Sequence, residues 1–276
     1  MTIRRNDRVT MTDDSGYQLS SSDLDFLGIA NEAALECMAN SVPLGMPIDQ
    51  YSEFIRTLLY ALRREGVDAA DIRLQGSSAN FFSGPHKQLP FSAQEFAEIY
   101  TDEFGRLPSQ FELAGVWKRY AEQWPSKAAR PLRRPWDSLF VLGSSPVKSD
   151  FDIQISSDAT YEVVANDIRF SGIDPKDFPV DNSSYGFMRK ELSDRAFLYL
   201  QAWAARWQEI LDRPVNIALF QAVGPREPQA DASDSEIAQS SHFRESDWVL
   251  HTGPIENTDI FLELVGAEHT DSEAVR

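Results

Sequence analysis

The sequence predicts an α+β fold in which a mixed central sheet is flanked by helices. Three stretches of the chain support this prediction. Apolar side chains recur at the helical i, i+3, i+4, i+7 spacing over residues 48–65, which indicates an amphipathic helix. Residues 150–155 instead alternate between polar and apolar side chains, which is the period of a strand. Residues 215–220 are largely apolar, as in a strand suited to the centre of a sheet.

Composition indicates a globular protein with an acidic surface. The chain has 276 residues, of which 42% are hydrophobic and 11% aromatic, enough to form a packed core. The net charge is −17, whereas a protein that binds the backbone of DNA or RNA is usually basic, so no generic nucleic-acid binding is expected. The acidic surplus is uneven, because residues 222–276 contain 12 acidic and only 3 basic residues. The remainder of the chain can therefore still form a local basic pocket.

The sequence also predicts a cytoplasmic protein without a membrane partner. Cys37 is the only cysteine, so no intrachain disulfide can form, which is compatible with a reducing compartment. No run of 18 apolar residues is present, and residues 1–16 lack the apolar segment of a signal peptide.

One main domain is expected, with a polar segment on each side. Residues 1–20 lack periodicity and are expected to be mobile. The main domain is expected to span residues 21–221, and residues 222–276 to form a flexible acidic linker and tail. Two short apolar segments of this tail, 248–250 and 260–265, are expected to dock on the core.

Capping residues and apolar periodicity place the other elements. Further helices are expected over residues 23–39, 92–104, 109–124 and 192–211, with one more beginning near residue 159. Further strands are expected over residues 71–75 and 138–142. Ser22 is the expected cap of the first helix, and Ser92 with Glu95 the capping box of the second. Two of these helices fall in residues 88–137, which has the character of a helical insertion.

Asp150 and Asp152 are the candidate catalytic and metal-binding residues. Positions i and i+2 of a strand point the same way, so the two carboxylates are expected to lie side by side. Like charges at this separation repel each other, and a divalent cation between them relieves the repulsion. Mg²⁺ (or Mn²⁺) suits such a pair, because it takes oxygen ligands and keeps positions open for phosphate. The alternative is an edge strand with a solvated acidic face.

A turn of small residues is the candidate phosphate site. Gly76, Ser77 and Ser78 follow the strand at 71–75, and consecutive N–H groups in such a turn form a nest for an anion. The serine hydroxyl groups add donors, and Lys87 supplies positive charge further along the chain.

The order of helix, strand, Gly-Ser turn and D-x-D strand resembles the core of the nucleotidyltransferase superfamily of polymerase-beta type. The resemblance covers residues 48–221. It implies that the turn at Gly76-Ser77 holds the phosphates of a nucleoside triphosphate (NTP) and that Asp150 and Asp152 hold the metal ions. The expected activity is therefore transfer of a nucleoside monophosphate from an NTP to a hydroxyl acceptor. The sequence leaves open the acceptor, the base preference and whether a protein partner is involved.

A second Gly-Ser pair leaves the position of the nucleotide turn open. Gly143-Ser144 lies only a few residues before the D-x-D motif. We favour Gly76-Ser77, because the helix and the strand ahead of it match the family order.

The third carboxylate of the family is missing. It is expected on the strand at 215–220, where the matching residue is Asn216. An amide oxygen can contact a metal, but it adds no charge and cannot act as a general base. Two interpretations follow: an active enzyme with two carboxylates, or a nucleotide-binding regulatory module or inactive homologue, including one in a toxin–antitoxin or defence system.

A basic cluster closes the insertion. Its members are Lys127, Arg130, Arg133 and Arg134. In so acidic a chain, these side chains are candidates for contact with a triphosphate or an anionic acceptor, with solvated loop charges as the simpler interpretation.

Overall fold

The structure is a computed structural model, and it describes most of the chain. The described residues are 12–13, 15–31, 42–84, 87–126, 130–172, 180–181, 186–224 and 247–256. The helices among them are α1 (Ser21–Leu27), α2 (Ile48–Arg64), α3 (Ser77–Asn80), α4 (Ala93–Phe104), α5 (Gln110–Gln123), α6 (Ser138–Leu142), α7 (Asp158–Phe170), α8 (Lys190–Ala196) and α9 (Leu198–Leu211). The strands are β1 (Ala69–Gln75), β2 (Phe151–Ser156), β3 (Val215–Phe220) and β4 (Trp248–Pro254). Within these ranges, no helix has both the length and the apolar character needed to cross a membrane.

The strands form one mixed sheet in the order β3-β2-β1-β4. β2 and β3 are parallel, whereas β1 is antiparallel to both β2 and β4. The predicted mixed sheet with flanking helices is therefore confirmed. The predicted central position of β3 is wrong, since β3 lies at one edge of the described sheet. Val215, Leu219 and Phe220 are nonetheless buried, and the outer edge of β3 is contacted by a neighbouring segment, where the N–H of Met188 donates to the carbonyl of Leu219 at 2.7 Å.

One face of the sheet packs against α2 and α9. Phe54 of α2 is fully buried, and its ring lies 6.1 Å from Phe151, 4.9 Å from Trp203 and 5.1 Å from Trp207. Thr57 accepts hydrogen bonds from both indole N–H groups at 3.0 Å. The opposite, polar face of the strands is therefore directed away from α2 and α9.

The insertion forms a second, smaller core beside the polar face. Its buried members are Leu89, Phe96, Val116, Tyr120, Trp124 and Leu142. This core is joined to α1 through Asp23, whose carboxylate accepts hydrogen bonds from Gln123 and from the indole N–H of Trp124, both at 2.9 Å. The helices predicted at 92–104 and 109–124 are confirmed as α4 and α5.

Residues 138–142, predicted as a strand, form the short helix α6 instead. Five residues are too few to separate the two periods, and the deciding interactions come from distant parts of the chain. Asp137, immediately before the helix, has φ +55° and accepts a hydrogen bond from the N–H of Ser149 at 2.7 Å. Gly143, with φ +78°, ends the helix in the left-handed conformation.

Two predicted helices have different bounds. The helix predicted over 23–39 begins earlier, because Ser20 rather than Ser22 forms the capping box with Asp23, and it ends at Gly28 in the left-handed conformation. Most of the remainder of that prediction lies outside the described residues. The helix predicted over 192–211 is divided at Phe197, which has non-helical φ −117° and ψ 68° and a fully buried side chain.

Both polar ends of the chain contribute ordered segments. The predicted docking of residues 248–250 is confirmed, since they belong to β4, while 260–265 lies outside the described residues. Residues 15–20, expected to be mobile, follow a turn held by the carboxylate of Asp13. This carboxylate also accepts a hydrogen bond from the N–H of Leu132, which ties the segment to the end of the insertion.

Candidate functional site

Asp150 and Asp152 lie side by side at the start of β2, on the polar face. The parallel pairing of β2 with β3 places Asn216 opposite Asp152. The Asn216 amide donates hydrogen bonds to Asp150 Oδ2 at 2.9 Å and to Asp152 Oδ1 at 3.3 Å. The residue matched to the third carboxylate thus contacts both acids, as a neutral donor.

The environment of Asp152 disfavours its negative charge. Burial raises the pKa of Asp152 to about 6, and the neighbouring charge of Asp150 raises it in the same direction. The hydrogen bond from Asn216 and the positive charge of Lys87 act the opposite way, but do not offset the first two effects. The pair therefore retains an electrostatic repulsion that a bound cation would relieve.

The turn after β1 lies directly against these carboxylates. A Cβ atom added at Gly76 would lie 3.5 Å from Asp152 Oδ2, and the backbone there has φ +78°. A side chain at this position would be strained and would fill the space in front of the acid. Ser77 follows on the wall of the same space, whereas Ser78 is fully buried and its hydroxyl donates to the carbonyl of Gln75 at 3.2 Å.

A cavity of about 900 Å³ opens in front of the carboxylates. Its lining includes Gly76, Ser77, Lys87, Asp150 and Asp152. The structure therefore brings together five of the six predicted site residues, and it leaves Ser78 behind the wall. The volume is near the upper end of the roughly 300–1,000 Å³ typical of small-molecule sites.

The second Gly-Ser pair serves as a helix terminus. The Ser144 hydroxyl donates to the carbonyl of Leu139 at 3.1 Å. The guanidinium of Arg119 donates to the carbonyl of Leu142, so close to Gly143 that an added Cβ would lie 2.7 Å from Arg119 Nη2. Neither Gly143 nor Ser144 lines the cavity with the carboxylates.

The basic cluster at the end of the insertion is divided between two roles. Arg133 and Arg134 line the cavity. Arg130 instead lies 3.8 Å over the ring of Phe91, outside the cavity lining. Lys127 lies outside the described residues.

Asp137 and Arg213 form a buried pair behind the carboxylates, which sequence reasoning missed. Arg213 Nη1 lies 3.3 Å from Asp137 Oδ1 and donates to the carbonyl of Ser149 at 2.8 Å. The N–H of Asp137 donates to the Ser149 hydroxyl at 2.8 Å. The N–H of Ser149 donates in turn to Asp137 Oδ1 at 2.7 Å, so both main-chain groups of the residue before Asp150 are fixed. No local pattern reveals this pair, because its members are far apart in the sequence.

A polar row crosses three strands of the sheet and ends at Asp247, the residue before β4. Asn216 pairs with Asp152, and Asp152 pairs with Gln75. The Gln75 amide in turn donates to Gln154 at 2.6 Å and to Asp247 at 3.2 Å, and Asp247 also lines the cavity. Sequence reasoning missed Asp247, because it is brought to the site only by the pairing of β4 with β1.

The candidate metal ligands are few. Among the described residues, no three His, Cys, Asp or Glu side chains lie close enough to hold a metal ion together. Asp247 is separated from Asp152 by two strand spacings, roughly 10 Å. The donor set at the site therefore consists of Asp150 and Asp152, with the Asn216 amide beside them.

We compared the chain with protein-family models, with curated proteins and with solved structures, and found no match. What the site can do must therefore be inferred from its geometry and charge.

Proposed function

We propose that this protein is a metal-dependent nucleotidyltransferase, which moves a nucleoside monophosphate from an NTP to a hydroxyl acceptor. The observation that carries the proposal is the approach of the Gly76 turn to Asp152, where an added Cβ would lie 3.5 Å from the carboxylate. In the polymerase-beta-type superfamily, a Gly-Ser turn and a pair of carboxylates share one nucleotide. The adjacency of Ser77, Asp150 and Asp152 on one cavity supports the same arrangement here.

The donor set fits Mg²⁺ or Mn²⁺. Mg²⁺ is commonly held by one or two carboxylates together with substrate phosphates, so a third protein carboxylate is not required. Asp150 and Asp152 would hold the ion, and the raised pKa of Asp152 reflects its burial and the repulsion by Asp150, which the ion would relieve. When bound, a divalent ion neutralises the charge that develops on the transferred and departing phosphates.

The chain's own residues would bind and orient the reactants. Ser77 offers a hydroxyl donor, and Lys87 a positive charge, to the phosphates of the NTP. Asn216 fixes the orientation of the two acids by donating to both. Catalysis of this kind consists largely of positioning and electrostatic stabilisation, so few specialised residues are needed.

Pyrophosphate release tests the proposal. The protein would be incubated with Mg²⁺ and each labelled NTP in turn, together with candidate acceptors. Asp150→Asn and Asp152→Asn are expected to lower turnover by on the order of 100-fold or more, because each removes a charged ligand. Asp25→Asn is the matched control, since that carboxylate is exposed and lies outside the cavity lining. Full turnover in Asp150→Asn and Asp152→Asn would contradict the assignment.

A second candidate function is a nucleotide-binding module without turnover. Asn216 favours it, because an amide in the position of the third carboxylate cannot take a proton from the acceptor. The distinguishing variant is Asn216→Asp. NTP binding by the natural protein without pyrophosphate release, with release restored in Asn216→Asp, would favour the module. Release by the natural protein would exclude it.

A further inference from the structure

The cavity extends beyond the carboxylates to a second wall, which comes from the insertion and the segment after it. We call this surface the insertion wall and define it by Arg134, Phe140, Val147 and Lys148, all of which line the cavity. The NTP site proposed above uses none of these residues.

Apolar side chains are left exposed on this wall. Phe140 is 40% exposed and Val147 is 49% exposed, although both line a cavity in which they could be covered. Lys148 Nζ lies 5.8 Å from the centroid of the Phe140 ring. An accessible aromatic ring beside a cation is suited to a ligand that has both a flat ring and a separate negatively charged group.

Arg134 supplies the fixed positive charge of the wall. Its Nε donates to the carbonyl of Gln88 at 2.9 Å, which holds the guanidinium in place. Burial lowers the pKa of Arg134, and the negative charge of Glu103 opposes this effect. Glu103 itself accepts a hydrogen bond from the Ser145 hydroxyl at 2.8 Å. Among the described residues, no carboxylate forms an ion pair with Arg134, which leaves its charge for a ligand.

Lys148 forms an ion pair, but a weak one that a ligand can replace. It lies 2.7 Å from Asp212, whose side chain is 86% exposed. Exposed ion pairs of this kind are weak, because solvent screens them. An anion in the cavity can therefore compete for Lys148 at little loss.

We propose that the insertion wall binds the acceptor, and that the acceptor is a small molecule carrying both a flat ring and a phosphate group. The inference rests on the proposed transferase function. The ring stacks on Phe140, and the phosphate pairs with Arg134 and Lys148. In the transfer, a hydroxyl oxygen of the acceptor forms a bond to the α-phosphorus, the bond from that phosphorus to pyrophosphate breaks, and the hydroxyl proton passes to solvent.

Calorimetric titration with adenosine monophosphate (AMP) as the probe tests this inference. The protein is first saturated with Mg²⁺ and a non-hydrolysable ATP analogue, which occupies the carboxylate end of the cavity. AMP is expected to bind one additional site. Ribose 5-phosphate, which lacks the ring, and adenosine, which lacks the phosphate, are each expected to bind about tenfold more weakly or worse.

Two pairs of variants locate the additional site. Phe140→Ala and Arg134→Gln are each expected to weaken AMP binding by about tenfold, with no change in affinity for the ATP analogue. Phe111→Ala and Arg206→Gln, which change exposed side chains outside the cavity lining, are the matched controls and should bind AMP normally. Phe140→Tyr, which keeps the ring, should also bind normally.

The outcomes separate this inference from the function on which it rests. Normal binding of the ATP analogue without an additional AMP site overturns the acceptor inference alone. Unchanged AMP binding in Phe140→Ala and Arg134→Gln, or binding of an oligoribonucleotide in preference to AMP, overturns it as well. Failure of the proposed function gives a different result. In that case Ser77→Ala and Asp152→Asn bind the ATP analogue as tightly as the natural protein does. If the ATP analogue does not bind, titration of Phe140→Ala and Arg134→Gln with AMP in its absence still tests whether the insertion wall binds AMP.

Discussion

The same strands form both faces of the sheet, but the two faces have different physical roles. On the face packed against α2 and α9, Phe54 is surrounded by aromatic rings, and the two indole N–H groups share one acceptor on Thr57. On the cavity face, burial and the neighbouring charge of Asp150 both disfavour the negative charge of Asp152. The first face stabilises the fold. The second holds an arrangement that folding alone does not favour, which is the usual mark of a functional site.

The largest effect is expected on the helix-packed face. Phe54→Ala should lower the free energy of unfolding by about 3–5 kcal/mol, because it leaves a cavity among Phe151, Trp203 and Trp207. Urea unfolding measures the change. Leu107→Ala, at an exposed position, serves as the control, and an equally large loss there would show that the comparison of the two faces is unsound.

A smaller effect is expected where the insertion is attached beside the cavity face. Asp23→Ala should lower the free energy of unfolding by about 2–3 kcal/mol, because the buried N–H of Trp124 loses its charged acceptor. Urea unfolding monitored by tryptophan fluorescence is the measurement. Asp25→Ala changes an exposed acid of the same helix, so a similar loss in that variant would contradict the role of Asp23.

The same residue predicts a pH dependence. Burial alone would raise the pKa of Asp23, but hydrogen bonds from Ser20, Gln123 and Tyr17 outweigh it and lower the pKa. Its contribution is therefore fully present above the unfolded pKa, near 4, and is lost as the pH falls through the lower folded value. The difference in unfolding free energy between the natural protein and Asp23→Asn should shrink as the pH is reduced from 7 towards 3. A constant difference would contradict this.

On the cavity face, removing a charge should have the opposite sign. Without divalent cations at pH 8, Asp152→Asn is expected to raise the free energy of unfolding by about 1–2 kcal/mol, since repulsion by Asp150 and the penalty of burial both disappear. The same variant should lose turnover. Thermal and urea unfolding check the sign, and destabilisation would show that Asp152 supports the fold instead of the site.

The smallest effect is expected for the ion pair at the cavity rim. Asp212→Asn should leave unfolding unchanged, because the pair of Lys148 with an exposed acid is screened by solvent. The salt dependence of unfolding should be the same in this variant and in the natural protein. A measurable decrease in the free energy of unfolding of Asp212→Asn at low salt would mean that the ion pair stabilises the rim more than its exposure indicates.

Local patterns predicted those elements whose side chains repeat over several turns or strand positions. The helix α2 and the strand β2 follow their periods closely and were predicted almost to the residue. The strand predicted at 138–142 failed, because α6 depends on the contact of Asp137 with Ser149 twelve positions away. The Ser20 cap was within reach of the sequence, since Ser20 and Asp23 have the spacing of a capping box.

The site was predictable where its residues follow strands directly, and not where distant segments complete it. Gly76 and Asp152 come at the end and the start of two strands that pair, and the family resemblance carried by their order along the chain predicted their meeting. Arg213 and Asp247 arrive through tertiary contacts that leave no trace in local spacing. Ser78 illustrates a further limit, because sequence does not indicate which of two neighbouring serine hydroxyls turns towards the protein.

The pairing of β4 with β1 has a consequence for how the protein is made. These strands are joined only after the ribosome has released the chain as far as residue 254, long after β1, β2 and β3 have emerged. Until then one edge of β1 is bare and Asp247 is missing from the cavity. Closure of so long a loop is slow, so we expect the nascent chain to pass through a stage with an open sheet edge that is prone to wrong pairing.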